Sequence, residues 1–175
     1  MPNRNLVFLS VILLVIVIAS TLIIFFPTNL TPNLGPAKEI TSETLKGQKF
    51  SLNSLIGQKN IILDFMATWC DPCVGLGFVY RQILNKYPNN VTIISITISN
   101  TDTKDILGNW TSAWNFNWTF LPYNQTFTPI IIKNYNVSLG IPMSYFIDLQ
   151  GIIRVQHLGI TEFSTVENWI KGNYN

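Results

Sequence analysis

Only two cysteines occur in this chain of 175 residues, and both lie in the run Trp69-Cys70-Asp71-Pro72-Cys73. Two residues apart, they sit too close together to form a stabilising framework and are too few for a four-ligand zinc site. What such a pair can do is react, one thiol attacking a disulfide of another molecule and the second resolving the mixed disulfide. Only a thiolate attacks, and a thiol with a pKa of about 8.5 is mostly protonated at neutral pH, so the surroundings must favour the anion. Cys70 is placed for this. From Cys73 to Tyr87, Leu76, Val79, Tyr80, Ile83, Leu84 and Tyr87 recur at three- and four-residue spacing, which predicts a helix closed by Pro88. Free N–H groups and the dipole at a helix start stabilise negative charge, and Pro72 suits a first turn where no N–H donor is needed. Cys70 is therefore the expected nucleophile, and Cys73, expected to be the less exposed, the resolving thiol. Asp71 adds a negative charge beside Cys70, which raises its pKa and makes the pair more reducing. Val74, not His, follows Cys73, which excludes haem attachment.

The elements that must hold this pair follow from periodicity. Lys49 to Leu52 alternates and then meets Gly57, which reads as a short opening strand or hairpin. Ile61-Ile62-Leu63-Asp64-Phe65-Met66 is a nearly continuous apolar run, as expected of a strand covered on both faces. Val91 to Ile98 is a second buried strand. Asp102 to Asn115 reads as a helix with Asp102 as N-cap and Ile106, Leu107, Trp110 and Trp114 on one face. Trp118 to Leu121 is a brief strand, and Thr128 to Tyr135 is ambiguous between helix and strand. Met143 to Asp148, the turn Leu149-Gln150-Gly151 and Ile152 to His157 form a hairpin. A final helix is expected after the capping box Ser164-Thr165-Val166-Glu167. A βαβ unit followed by an antiparallel hairpin and a helix implies an α/β fold, a mixed central sheet with helices on both faces.

The high hydrophobic share, 47%, and mean hydropathy of +0.28 trace to one segment. Leu6 to Phe26 carries no charge and, as a helix, spans roughly 30 Å, the thickness of a bilayer core. A cleaved signal would have a shorter apolar region and a small-residue cleavage site, whereas Phe25-Phe26-Pro27 follows here. The expected organisation is a cytoplasmic N-terminus at 1–5, a transmembrane signal anchor at 6–26, a Pro- and Gly-containing linker at 27–37 and one folded domain at 38–175. Arg4 precedes the span and no Lys or Arg follows until Lys38, which places the domain on the extracytoplasmic side of the cell membrane. Disulfides form and persist there. Sequons beginning at Asn29, Asn90, Asn109, Asn117, Asn124 and Asn136 agree with export, although a chain rich in Asn, Ser and Thr produces some by chance. A net charge of +2 without a basic stripe gives no reason to expect nucleic acid as a partner.

Asp64 through Cys73 resembles the active-site strand and loop of thioredoxins, closest to the TlpA-type extracytoplasmic branch. Gly140-Ile141-Pro142-Met143-Ser144-Tyr145-Phe146-Ile147-Asp148 is similar to that family's cis-proline loop and following strand, and Gly151 to Gly159 to its last hairpin. The resemblance keeps order and spacing from about Lys38 to the C-terminus. It implies a thioredoxin fold, a membrane-anchored thiol–disulfide oxidoreductase, and a reaction that needs no cofactor. It also implies that Asp64 is the buried carboxylate that accepts the second cysteine's proton, that Pro142 is cis, and that Trp69 covers Cys70. Trp69, Ile141 and Pro142 would meet an extended substrate segment. The partners implied are thiols and disulfides of exported proteins and an electron-donor protein that the sequence does not name. The sequence departs from the family at Val74-Gly75-Leu76-Gly77, where relatives carry a charged residue. Two glycines in that first turn cost about 1 kcal/mol each relative to alanine, a hint of mobility near Cys73. An alternative is a copper-delivery protein of the same fold, with Cys70, Cys73 and His157 as ligands. Those chaperones generally separate their cysteines by three residues, against the two found here. A lone histidine in a last strand is more often structural.

Overall fold

The computed structural model describes residues 12–15 and 31–174. The expected span at 6–26 lies outside the described residues except for Ile12 to Val15, which are helical. No helix among the described residues is long and apolar enough to cross a membrane. Residues from Pro32 onward form one compact unit.

In chain order this unit contains β1 (Thr41–Glu43), β2 (Lys49–Ser51), β3 (Asn60–Met66), α1 (Asp71–Lys86), β4 (Val91–Thr97), α2 (Lys104–Trp114), β5 (Thr119–Leu121), α3 (Thr128–Asn134), β6 (Met143–Ile147), β7 (Ile153–Leu158) and α4 (Phe163–Ile170). β1 and β2 make a two-stranded antiparallel ribbon. The main sheet runs β5-β4-β3-β6-β7. β3 pairs in parallel with β4, and β4 with β5, whereas β3–β6 and β6–β7 are antiparallel.

β3 is central, and its sequence shows why. Ile61, Leu63 and Phe65 bury themselves on one face, together with Ile94, Ile96, Tyr145, Ile131 of α3, Tyr135 just after it, and Ile40 and Leu52. Ile62 turns to the other face, into Leu76, Tyr80 and Ile83 of α1 and Val166 and Trp169 of α4. A strand covered on both sides has no polar alternation to show, hence the continuous apolar run. The stretch left ambiguous, residues 128–135, is helical in α3. Three successive isoleucines suit a strand equally well, but Pro129 sits in the first turn, where its missing N–H costs nothing, and Asn124 Oδ1 accepts from the N–H groups of Thr126 and Phe127.

Three expectations are corrected. The helix after β4 is capped by Thr103, whose Oγ1 accepts from Ile106 N at 3.2 Å, and not by Asp102. Within it Leu107 is buried, while Ile106 and Trp114 are exposed. The C-terminal helix has no side-chain cap. Glu167 instead ties it to α1, accepting from Lys86 Nζ at 2.6 Å and Tyr87 Oη at 2.5 Å, with Lys171 at 2.8 Å. These three donors hold its carboxyl down at about 2. Finally, residues 34–37, expected to be tether, are part of the folded unit. Leu34 N donates to Ile153 O at 3.0 Å, Ile153 N to Gly35 O at 2.9 Å and Ala37 N to Gly151 O at 2.8 Å, which covers the exposed start of β7.

Candidate active site

Cys70 and Cys73 are joined in a disulfide at the start of α1, with an S–S distance of 2.05 Å and Cα atoms 5.3 Å apart. Cys70 is the N-cap of α1, in extended conformation, and its Sγ accepts from Cys73 N at 3.2 Å. Pro72 occupies the first turn, as the spacing predicts. A sulfur that already accepts a backbone N–H at a helix start is where a thiolate would gain stabilisation on reduction. The two residues are about equally covered, Cys70 3% and Cys73 5% exposed, so the expected difference in exposure is absent in the disulfide form. Both cysteines pack with Met66, Ala67, Leu107, Phe116 and Phe120. Trp69, expected to lie over Cys70, is 65% exposed, and its Nε1 donates to Ser99 Oγ at 3.2 Å.

The glycines after the pair serve packing. A Cβ on Gly77 would come within 2.5 Å of the Phe116 ring, whereas one on Gly75 would meet only Ile160 Cδ1 at 3.7 Å. Gly77 thus admits the aromatic side chain against which the pair is packed. The ring belongs to a larger aromatic group, with centroids 4.8 Å from Trp118 and 5.3 Å from Trp110.

The Ile141–Pro142 peptide bond is cis. Pro142 is buried, its carbonyl accepts from Gly159 N at 2.8 Å, and Ile141 packs against the cluster that contains the disulfide. Among the described residues no three His, Cys, Asp or Glu side chains are grouped to hold a metal ion. His157 lies apart from the cysteines, its Nε2 3.3 Å from Ile160 O and its ring 5.9 Å from that of Trp169.

Asp64 is buried at 5% exposure in β3. Loss of water pushes its carboxyl up to about 7, partly offset by a hydrogen bond from Ser95. Ser95 Oγ donates to Asp64 Oδ2 at 2.8 Å and accepts from Trp118 Nε1 at 2.9 Å. Asp64 Oδ1 has no hydrogen-bond partner among the described residues. On the other flank, Ser144 pairs with Asp64 in the β3–β6 register, and its Oγ lies 2.6 Å from Tyr80 Oη. Burial, then the charge of Asp64, push the Tyr80 hydroxyl far above its ordinary range.

Sequence reasoning missed Ser95, Trp118, Tyr80 and Ser144 as a group, because strand register brings the two serines beside Asp64 and tertiary packing brings Trp118 and Tyr80 to the serines. It also misassigned Asp102. That carboxylate is buried and turned toward the active-site loop, where Oδ2 accepts from Thr68 N at 2.9 Å and Oδ1 from Thr68 Oγ1 at 2.6 Å. Thr97 Oγ1 donates to Oδ2 at 2.5 Å.

A five-stranded mixed sheet carrying a two-residue-spaced cysteine pair at a helix N-terminus, near a cis-proline, defines a thiol–disulfide oxidoreductase. The comparisons agree. The thioredoxin family model matches residues 41–109. The thioredoxin-like protein YneN of Bacillus subtilis is 27% identical over 128 residues, 70% of this chain and 69% of that protein. The thioredoxin domain of a thiol-disulfide oxidoreductase of Bacteroides vulgatus superposes with a TM-score of 0.70 at 21% identity, covering 79% of this chain and 97% of that one. StoA of Bacillus subtilis does so at 0.63 and 18%, covering 77% and 97%. At these identities the two structures speak for the fold. The chain shares the thioredoxin fold, and its segment 41–109 matches the thioredoxin family model.

Proposed function

We propose that this chain is a membrane-anchored, extracytoplasmic reductase that breaks disulfides of exported proteins. The observation that carries the reading is the Cys70–Cys73 pair at the helix start, with Cys70 Sγ already receiving the Cys73 N–H. In the reduced state Cys70 thiolate attacks a client disulfide, forming a Cys70–client bond and releasing one client thiolate. Cys73 then gives up its proton, attacks Cys70 Sγ and releases the second client thiolate, so the client gains two electrons and the pair is oxidised to the disulfide seen here. Asp64, a buried carboxyl near neutrality, is the acceptor of the Cys73 proton, through water. Ile141 and Pro142, with Trp69, would meet the extended client segment.

The direction of reaction is supported by Asp71, an exposed negative charge in the first turn that opposes a Cys70 thiolate. The location is supported by the uncharged run from Leu6 to Phe26 and the basic residue before it. Electrons must then come from a donor protein able to reduce the pair on that side of the membrane. The test is a Cys73→Ser variant expressed in native membranes, which is expected to accumulate covalent, thiol-reversible complexes with exported proteins. No trapped complex, with activity retained, would contradict the assigned roles. A reduction potential near −120 mV, that of a strong oxidant, would contradict the direction.

A further inference from the structure

We propose that Ser95, held by Trp118, is a positioning residue for Asp64: it determines which carboxyl oxygen takes the Cys73 proton and sets the pH range over which the resolving step runs. The inference rests on the reading of Asp64 as the proton acceptor.

While Asp64 is ionised, the hydrogen bonds have one consistent direction. An indole N–H can only donate. Ser95 Oγ accepts it at 2.9 Å, and its single proton is directed to Asp64 Oδ2 at 2.8 Å. Ser95 is 1% exposed, so no solvent competes for that hydroxyl. Oδ2 is thereby occupied, and Oδ1, buried and without a protein partner, is the atom open to a proton. The serine on the opposite strand does not duplicate the role, because Ser144 Oγ is engaged with Tyr80 Oη at 2.6 Å. Trp118 is itself fixed, stacked on Phe120 at 5.2 Å and tilted against Phe116 at 4.8 Å, so the chain Trp118–Ser95–Asp64 has little freedom to reorient.

Few other ionisable groups face this row. α1 contributes Tyr80, which burial keeps neutral, and the cysteine pair at its start. β4 contributes Ser95, and Trp118 stands just before β5. β6 contributes Ser144, and beyond it on β7 lies His157, paired with Ser144 in register. A hydrogen bond donated to an ionised carboxylate stabilises the anion. Losing the Ser95 donor would leave Asp64 protonated to higher pH and unable to take the Cys73 proton. In the step concerned, the Cys73 S–H bond breaks, its proton passes to Asp64, the new thiolate forms the Cys70–Cys73 bond, and the Cys70–client bond breaks. The leaving thiolate carries away the electron pair.

The experiment mixes the reduced full chain, in detergent micelles, with an aryl disulfide whose thiolate absorbs visible light. The first thiolate reports attack by Cys70 and the second reports resolution by Cys73, and the second rate is followed against pH. Ser95→Ala is expected to move its midpoint up by about one pH unit, slowing the acidic limb roughly tenfold. Trp118→Phe should move it the same way by less, and Ser95→Thr, which keeps the hydroxyl, should restore the wild-type midpoint. Asp64→Asn should remove the midpoint, and adding Ser95→Ala to it should change nothing further. If Asp64→Asn removes the midpoint while Ser95→Ala and Trp118→Phe leave it in place, the role of Ser95 is refuted. If Asp64→Asn itself leaves the midpoint in place, the reading of Asp64 fails, and this inference with it. Should Ser95→Ala not fold, Trp118→Phe and Ser95→Thr carry the same decision.

Discussion

Asp102 grips Thr68 twice, through the backbone N–H at 2.9 Å and the hydroxyl at 2.6 Å, and so anchors the loop that leads into the cysteines to the loop that follows β4. Asp102→Ala leaves the Thr68 amide, the Thr68 hydroxyl and the Thr97 hydroxyl without their acceptor. Buried groups stripped of a partner cost about 1–3 kcal/mol each, less where water enters. Urea denaturation of the oxidised variant should show a loss of about 3 kcal/mol. A loss under 0.5 kcal/mol would mean that the loop holds itself.

Asp64 makes stability depend on pH in an unusual direction. Its folded carboxyl titrates at about 7, against 3.8 when unperturbed. Between those values the folded state holds a proton that the unfolded chain has released, so stability falls as pH rises through this window and levels off above it. Asp64→Asn should abolish that slope and be the more stable protein above pH 7, by at most about 4 kcal/mol. Denaturant midpoints of the two oxidised proteins from pH 4 to 8 test this, and parallel profiles would contradict it.

The two glycines of the first turns of α1 should respond oppositely to alanine. Gly75→Ala meets only an ordinary contact and should stabilise by up to about 1 kcal/mol through helix propensity. Gly77→Ala drives a methyl into the Phe116 ring and should destabilise by about 1–3 kcal/mol. Thermal melting of both variants decides it, and equal shifts would show that Phe116 yields freely.

Asp71→Asn removes a negative charge from the turn that Cys70 caps. The Cys70 thiolate then becomes easier to form, the reduced state is favoured, and the potential rises toward the oxidising side. A charge at such a position is worth about 0.3–1 kcal/mol, so the rise should be roughly 5–20 mV, read by equilibration with glutathione. A fall would reverse the sign assigned to Asp71.

What could be read before folding was whatever chain-local physics decides. The apolar run of β3, the stripe Leu76–Tyr80–Ile83 of α1 and the turn Leu149-Gln150-Gly151 each declare themselves within a few residues. α3 did not, because Ile130-Ile131-Ile132 satisfies either period. Asp102 was assigned to the nearer and commoner job of capping, although its acceptors serve Thr68, which lies 34 residues away in sequence. Glu167 fitted a capping box in spacing but found Lys86 across a helix–helix contact. The row Ser95–Asp64–Ser144 is a product of sheet register, and a serine among isoleucines carries no sign of which strand it will face.

In the oxidised protein neither cysteine of the pair offers more than a sliver of surface. Any thiol attacking the oxidised pair must therefore reach a largely covered target, and small reductants such as glutathione are expected to equilibrate with it slowly. Access to the pair thus bears on how fast electrons enter, while the potential bears on which way they flow.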